Sequence, residues 1–345
     1  MNKLFTIFIS GIILSGSISL ASAKDYVMKI GLITALKKEL HFASSSNIFF
    51  KDSVEKLSKG KIKVKLFGAS TLGGPRSLLI QTKKGIVQGC DAEGAYLTYF
   101  SPLAQILSLP YIFRSEEVAW KVLDINGPFI KDFNKQFIKK TGMRIISMGE
   151  NGGGFRHFSN NIKEIKCPED MKGLKIRTMN LPIHMEMIKC LGASPTPVSW
   201  TELYTALQTG VVNGQENPIS TFKMGRFEEV QKYLILDSHV YGIYCLIINN
   251  SWFNKLPRNL QQVIIHAGNI TSKVNLGISQ YLKNKDLAYI QSKGVKVYFP
   301  TQKEKNKFKA LVRDKVLNLA KKNVGKKWVN KLLKSIANAE KALGY

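Results

Sequence analysis

In the stretch GLKIRTMN, residues 173–180, a single arginine stands near the end of an alternating run. Leu174, Ile176 and Thr178 fall on one face of a strand and Lys175, Arg177 and Met179 on the other. Pro182 and a helix-like run from His184 to Leu191 follow, so Arg177 lies at the carboxyl end of a predicted strand, just before a turn. In open α/β sheets ligands are held at such ends. Four more polar or aromatic groups occupy element ends between Gly152 and Pro218: Arg156 in GGGFRHF, Asn180 after the arginine, Trp200 in PVSWTELY and Asn217 in GQENP. A guanidinium matches a carboxylate in a two-bond fork. An asparagine adds a donor and an acceptor, and an indole covers an apolar face. The set suits a small organic acid. Spacing alone still favours the simpler reading, two surface arginines and a core tryptophan.

Enzyme templates are missing. The chain has no G-x-S-x-G elbow, H-E-x-x-H pair, P-loop or G-x-G-x-x-G turn. The five histidines, His41, His157, His184, His239 and His266, lack metal-ligand spacing and read as structural or surface residues. No catalytic residue, metal or cofactor is expected. The cysteines Cys90, Cys167, Cys190 and Cys245 form no C-x-x-C motif. Four buried thiols are the favoured reading, with a Cys167–Cys190 disulfide as the alternative.

The elements that would position these groups alternate. Strands are expected at Tyr26–Thr34, KIKVKLFG, IVQGCDAEGAYL and MRIISMG, with helices at Ile48–Ser58 and after TLGGPR. The order β-α-β-α-β implies a parallel sheet with helices on its faces. The polar, glycine-rich NGGGFRHFSN is a natural place for the chain to cross between domains. A helix from Thr201 to Thr209 should end at Gly210, with Thr201 as its N-cap. YCLIINNSWF reads as an apolar strand returning to the first domain, and a long helical run begins after Pro257.

The chain opens with MNKLFTIFISGIILSGSISLASA, a lysine, an apolar run and an A-x-A site, which reads as a secretory signal peptide over residues 1–23. The remaining chain of about 320 residues is long enough for two domains. Lysine and arginine total 51 against 24 acidic residues, a net charge of +27. The lysines are scattered, so the charge reads as compositional bias with modest steering of anions rather than a nucleic-acid groove.

DMKGLKIRTMN, LGASPTPVSWTELYTALQTGVVNGQENP, FEEVQKYL, TLGGPRSLL, LSLPYIFRSEEVAWKVLD and FRHFSN together resemble the solute-binding proteins of TRAP (tripartite ATP-independent periplasmic) transporters. The resemblance covers essentially the whole mature chain. It implies an α/β, two-domain periplasmic-binding-protein (type II-like) fold with hinge strands and a long domain-spanning helix. The expected division is 24–152 plus 242–280 for domain 1 and 153–241 plus 281–345 for domain 2.

It also implies roles. Arg177 would be the carboxylate anchor, Arg156 and Asn217 would line the same cleft, and Trp200 stands where phenylalanine is commoner. Asn180 would shape the pocket. Glu93 matches an acidic position of sialic-acid-binding members, and Arg76 in LGGPR would face the cleft. Lys37, Lys38 and His41 are expected in a solvated loop, with contact to a second anionic group as the alternative. The implied function is a periplasmic, monomeric, non-enzymatic binding subunit. It would capture a small organic acid by hinge closure and deliver it to the TRAP membrane permease. A sugar acid or sialic acid is favoured weakly by Glu93, and C4-dicarboxylates remain open. The competing readings are an exported α/β enzyme acting on carboxylic acids and the binding subunit of an ATP-driven importer.

Overall fold

The computed structural model describes residues 25–345; the expected signal peptide lies outside them. The first half begins with strand β1 (Tyr26–Gly31), helix α1 (Phe42–Leu57), β2 (Ile62–Phe67), α2 (Pro75–Lys84) and β3 (Gly89–Glu93). β1 pairs in parallel with both β2 and β3, as the alternation predicted. Pro75 supplies the preset φ of a first helical turn in α2, and Gly85 closes that helix at φ 76. The helix α1 starts earlier than the apolar pattern suggested. His41 accepts the Ala43 and Ser44 amides on its Nδ1 at 3.2 and 3.3 Å, and so caps six residues that carry little periodic signal.

Helices α3 (Glu116–Val122) and α4 (Pro128–Thr141) lead into β4 (Met143–Asn160). This strand contains NGGGFRHFSN, the stretch expected to cross between domains. It runs unbroken for 18 residues. Gly152, Gly153 and Gly154 all have positive φ, and the register with the partner strand jumps between Glu150 and Phe155. The glycines form a bulge inside the strand because side chains rarely adopt those angles.

The second half contains β5 (Lys175–Thr178), α5 (Pro182–Cys190), β6 (Ser194–Pro197), α6 (Leu203–Gln208), β7 (Gly214–Asn217) and α7 (Ile219–Met224). A 3-10 turn over Trp200–Glu202 precedes α6 and takes in Thr201, which is therefore not the N-cap. The 17-residue strand β8 (Tyr233–Asn249) returns antiparallel to β4. The short α8 (Asn250–Asn254), the 35-residue α9 (Arg258–Ser292), β9 (Lys296–Tyr298), α10 (Gln302–Val324) and α11 (Lys326–Ala342) complete the chain.

The sheet order is β2-β1-β3-β8-β4-β7-β5-β6, with β9 beside β8. The long strands β8 and β4 thus stand at its centre and belong to both halves. Helix α9 lies across β4 and touches α1 and α7. Its Gly268 lets it approach closely, since a Cβ there would sit 2.2 Å from the Ile146 carbonyl oxygen. Asn275 ties the pieces together: its Oδ1 accepts the Glu150 amide at 2.7 Å, and its Nδ2 donates to the Phe42 carbonyl at 3.1 Å.

Apolar cores lie under each half. One joins Met28, Ile30, Phe50 and Ile264, and another joins Leu207, Phe222, Phe227 and Ile290. The largest runs beneath both and includes Phe133, Ile176, Ile188, Phe308 and Leu332. Helix α11 packs on α3, α4 and α10, and α10 packs on α5. All four cysteines are free thiols; Cys90 and Cys245 are buried, Cys167 and Cys190 half-buried.

Candidate functional site

Between the two halves lies a small chamber. Ile33, Thr34, Phe42, Glu93, Tyr96 and Tyr244 line it from one side, and Arg177, Met179, Trp200, Asn217, Thr221 and Met224 from the other. Its free volume is about 40 Å³. An outer cleft of about 320 Å³ shares Tyr96, Arg177, Met179 and Trp200 with it and adds Arg76, Tyr99 and Asn180.

Arg177 stands between the two spaces. It is buried on β5, whose apolar residue Ile176 points into the core. Its Nε donates to the Val198 carbonyl at 2.9 Å, which fixes the plane of the guanidinium. Its Nη2 is buried and has no hydrogen-bond partner among the described residues. A buried donor without a partner is costly, and this one belongs to a residue on the wall of a cavity. The Tyr96 hydroxyl and the Glu93 carboxylate are its electrostatic neighbours.

Arg156 is placed differently. It is fully buried and does not line the chamber. Its Nε and Nη2 form a fork with the Glu216 carboxylate, Nη2 lying 2.9 Å from Oε1 and 2.6 Å from the Glu216 carbonyl. Its Nη1 donates to Glu93 Oε1 at 2.8 Å. Every branch of the guanidinium is committed, so Arg156 reaches the cavity only through Glu93. The expectation that it lines the cleft is corrected on this point. The reason is the β4–β7 register, which pairs His157 with Asn217 and brings Glu216 beside Arg156.

Behind Glu216 the charges continue. His239 Nε2 lies 3.2 Å from Glu216 Oε2 and its Nδ1 lies 2.9 Å from Asp237 Oδ2. Burial would lower the imidazolium pKa, but the flanking Asp237 and Glu216 carboxylates hold it above the usual range. Burial likewise opposes ionisation of Glu216, yet Arg156 and His239 hold its carboxyl far below the ordinary value. Glu93 is the exception: burial, reinforced by Glu216, outweighs Arg156 and raises its pKa. Beside it, burial pushes the Asp91 carboxyl up to about 6 against the hydrogen bonds it accepts from Tyr244 and the Ile33 amide. Those bonds measure 2.6 and 2.8 Å, and both donors belong to residues that line the chamber.

The remaining expected residues divide by depth. Asn217 and Trp200 line the chamber, Trp200 resting edge-on against Phe227 with ring centroids 5.7 Å apart. Asn180 is exposed in the outer cleft. Arg76 is there too, with its guanidinium 5.5 Å from the Tyr99 ring centroid. Lys37 and Lys38 are outside both spaces, and His41 is spent on capping α1. Sequence reasoning missed Tyr96, Tyr244, Glu216 and the Asp237–His239 pair. Glu216 had a usable signal, a carboxylate next to Asn217 in a short strand; the tyrosines had none, because aromatic residues in apolar runs read as core.

A family model described as bacterial extracellular solute-binding protein, family 7 (DctP) matches residues 38–323. The chain belongs to this family. The family 7 proteins of TRAP transporters bind small organic acids and work with a membrane permease; neither competing reading finds support among the relatives. The 2,3-diketo-L-gulonate-binding periplasmic protein YiaO of Escherichia coli is 31% identical over 274 residues, 78% of this chain and 80% of that protein. The sialic acid-binding periplasmic protein SiaP of Vibrio cholerae is 32% identical over 253 residues, 72% and 76% of the respective chains. The crystal structure of the sugar acid binding protein DctPAm from Advenella mimigardefordensis, in complex with galactonate, is 30% identical and superposes with a TM-score of 0.84 over 92% of this chain and 99% of that one. No helix among the described residues of this family 7 protein is long and apolar enough to cross a membrane.

Proposed function

We propose that this TRAP binding protein takes a hydroxylated monocarboxylic acid of the sugar-acid class. The observation that carries the reading is the partnerless Nη2 of buried Arg177 on a chamber wall that also bears Glu93. Arg177 receives the ligand carboxylate, with Tyr96 beside it. Glu93, held by Arg156, accepts a ligand hydroxyl, and Trp200 covers the carbon chain. A second carboxylate near Glu93 would meet like charge in a poorly solvated space. The names of relatives that bind diketogulonate, sialic acid and galactonate support the same class.

The chamber's free volume of about 40 Å³ is room for about three water molecules, at roughly 10–15 Å³ each on this measure, and too little for a sugar acid. Entry of a sugar acid therefore requires the halves to part along β4 and β8 and to close over it. A ligand that touches both halves stabilises the closed state differentially. The same reading takes the protein as an exported monomer, released from a signal peptide at residues 1–23, without catalysis and without nucleic-acid partners.

Isothermal titration against a panel of aldonates, sialic acid and C4-dicarboxylates tests the proposal. An aldonate should bind at micromolar affinity or better, and Glu93→Gln should weaken it roughly tenfold, in keeping with one charge-assisted hydrogen bond. Preference for a dicarboxylate over every hydroxy acid would overturn it.

A further inference from the structure

A second cavity, of about 680 Å³, shares no lining residue with the chamber or the outer cleft. Small-molecule sites occupy roughly 300–1,000 Å³. One wall is the segment from Tyr111 to Glu117 that leads into α3, and β8 supplies Asp237 and Ser238. Another wall is α10, which rests on α5 of the second half. Its Gln302, Lys305, Asn306 and Lys309 fall at the spacing of one helix face. Two residues of the cavity, Tyr111 at φ 51 and Ser238 at φ 58, hold left-handed backbone, which is costly for a residue with a side chain. Hydrogen bonds maintain both turns. The Tyr111 amide donates to the His239 carbonyl at 2.6 Å, and the Ser238 amide to His157 Nδ1 at 3.2 Å. Ser238 Oγ then accepts from Lys305 Nζ at 3.4 Å, which leaves the hydroxyl proton free.

The charges of this cavity do not all find partners. Lys283 pairs with Glu116. Asp237 is taken by the Tyr111 hydroxyl at 3.1 Å and by His239. Glu117 is held below the usual carboxylate range by its own amide at the head of α3 and by Ser115. Left over are Arg114, Lys305 and Lys309, which meet no carboxylate of the described residues within 4.0 Å. Arg114 stacks on the Tyr345 ring, 4.2 Å from its centroid. Glu340 is the one remaining carboxylate on the cavity wall. Burial depresses the Lys305 and Lys309 ammonium groups, and Arg313 and Arg114 press Lys309 the same way against Glu340. Arg313 lies one turn beyond Lys309, and its buried Nε has no hydrogen-bond partner among the described residues. Cations gathered away from water without an anion are unfavourable.

We propose that this cavity is a second binding site, which takes a phosphate group between Arg114 and the Lys305–Lys309 face of α10. A tetrahedral dianion with several acceptor oxygens answers several cations at once, and lysines, as point charges, need no planar partner. A single carboxylate would leave most of that charge unmatched. Ser238 and Asn306 supply neutral donors beside the lysines. Free inorganic phosphate and a small phosphate ester offer the same chemistry. The site uses no residue of the acid chamber, so it stands independently of the sugar-acid reading.

Titration calorimetry with inorganic phosphate and with glycerol 3-phosphate, at about pH 8 and fixed ionic strength, tests the proposal; both probes are then doubly charged. At least one should bind wild type at about millimolar affinity or better. Lys309→Met should weaken it at least about fivefold, the size of one half-buried charge contact. Lys131→Met removes the same charge from the exposed face of α4 and should change affinity less than twofold. Glu340→Gln should tighten binding about threefold, since it removes the opposing carboxylate, and a variant that merely disturbed the fold would not tighten it. Tighter binding of the ester identifies an organic phosphate as the ligand, and equal or tighter binding of inorganic phosphate identifies the free ion. The proposal is overturned if neither probe binds, if Lys309→Met and Lys131→Met weaken binding alike, or if Glu340→Gln leaves it unchanged.

Discussion

Arg156 and Glu93 form a 2.8 Å ion pair in which the arginine is fully buried and the glutamate alone reaches the chamber. One guanidinium thereby serves three acceptors: Glu93, the Glu216 carboxylate and the Glu216 carbonyl. The pair places a negative wall opposite Arg177, and the two arginines, alike in sequence context, take opposite duties.

Removing the inner arginine should damage the fold. Arg156→Ala leaves Glu93 and Glu216 without their shared cation, and breaking a buried pair in this way costs about 3–5 kcal/mol. Urea denaturation should show that loss in the free energy of unfolding. A loss below 1 kcal/mol would mean that the charge row contributes little.

The outer arginine should matter for binding and little for folding. Arg177→Ala removes a charge-assisted fork worth about 3 kcal/mol or more, a loss of at least about 100-fold in affinity. Arg177→Lys should recover little, since an ammonium cannot reproduce the planar pair of donors while keeping the bond to Val198. Calorimetry showing wild-type affinity in either variant would refute the anchor role.

Asp91 should give stability a measurable pH slope. Its carboxyl is pushed up to about 6 by burial, from an ordinary 3.8. Between these values the folded protein keeps a proton that the unfolded chain has lost. The contribution is complete below pH 4, falls as pH rises, and is flat above about 6, with a total change of about 3 kcal/mol. The unfolding free energy of wild type minus that of Asp91→Asn should therefore be more favourable at pH 4.5 than at pH 7. An unchanged difference would show that Asp91 titrates normally.

Two glycines of α9 should respond with opposite signs. A Cβ at Gly277 would meet nothing within 4 Å, so Gly277→Ala should stabilise the protein by about 0.5–1 kcal/mol through helix propensity. A Cβ at Gly268 would press on the backbone oxygen of Ile146, which cannot rotate away. Gly268→Ala should destabilise by about 1–3 kcal/mol despite the same propensity gain. Thermal melts of the two variants side by side check the contrast.

Much of this architecture is local, and local structure was legible. The alternation in KIKVKLFG and LKIRT marks strands because side chains in a strand point to alternate faces. Pro257 marks the start of α9, and Gly85 and Gly210 close α2 and α6, because φ preferences belong to single residues. The start of α1 was not legible, since it depends on a histidine used as a cap, and neither was the passage of β4 straight through its three glycines.

The sequence by itself determined the α/β order, the family, and Arg177 at the end of a short strand before a turn. Only the tertiary structure decided which arginine faces the chamber. Arg156 finds Glu216 across a separation of 60 residues, and Glu93 across 63, through strand pairings that no local pattern encodes. Arg177 has the Val198 carbonyl for its Nε and no partner for its Nη2. The fate of a buried charge is set by the partners that long-range packing brings to it, and a sequence pattern carries the charge without its partners.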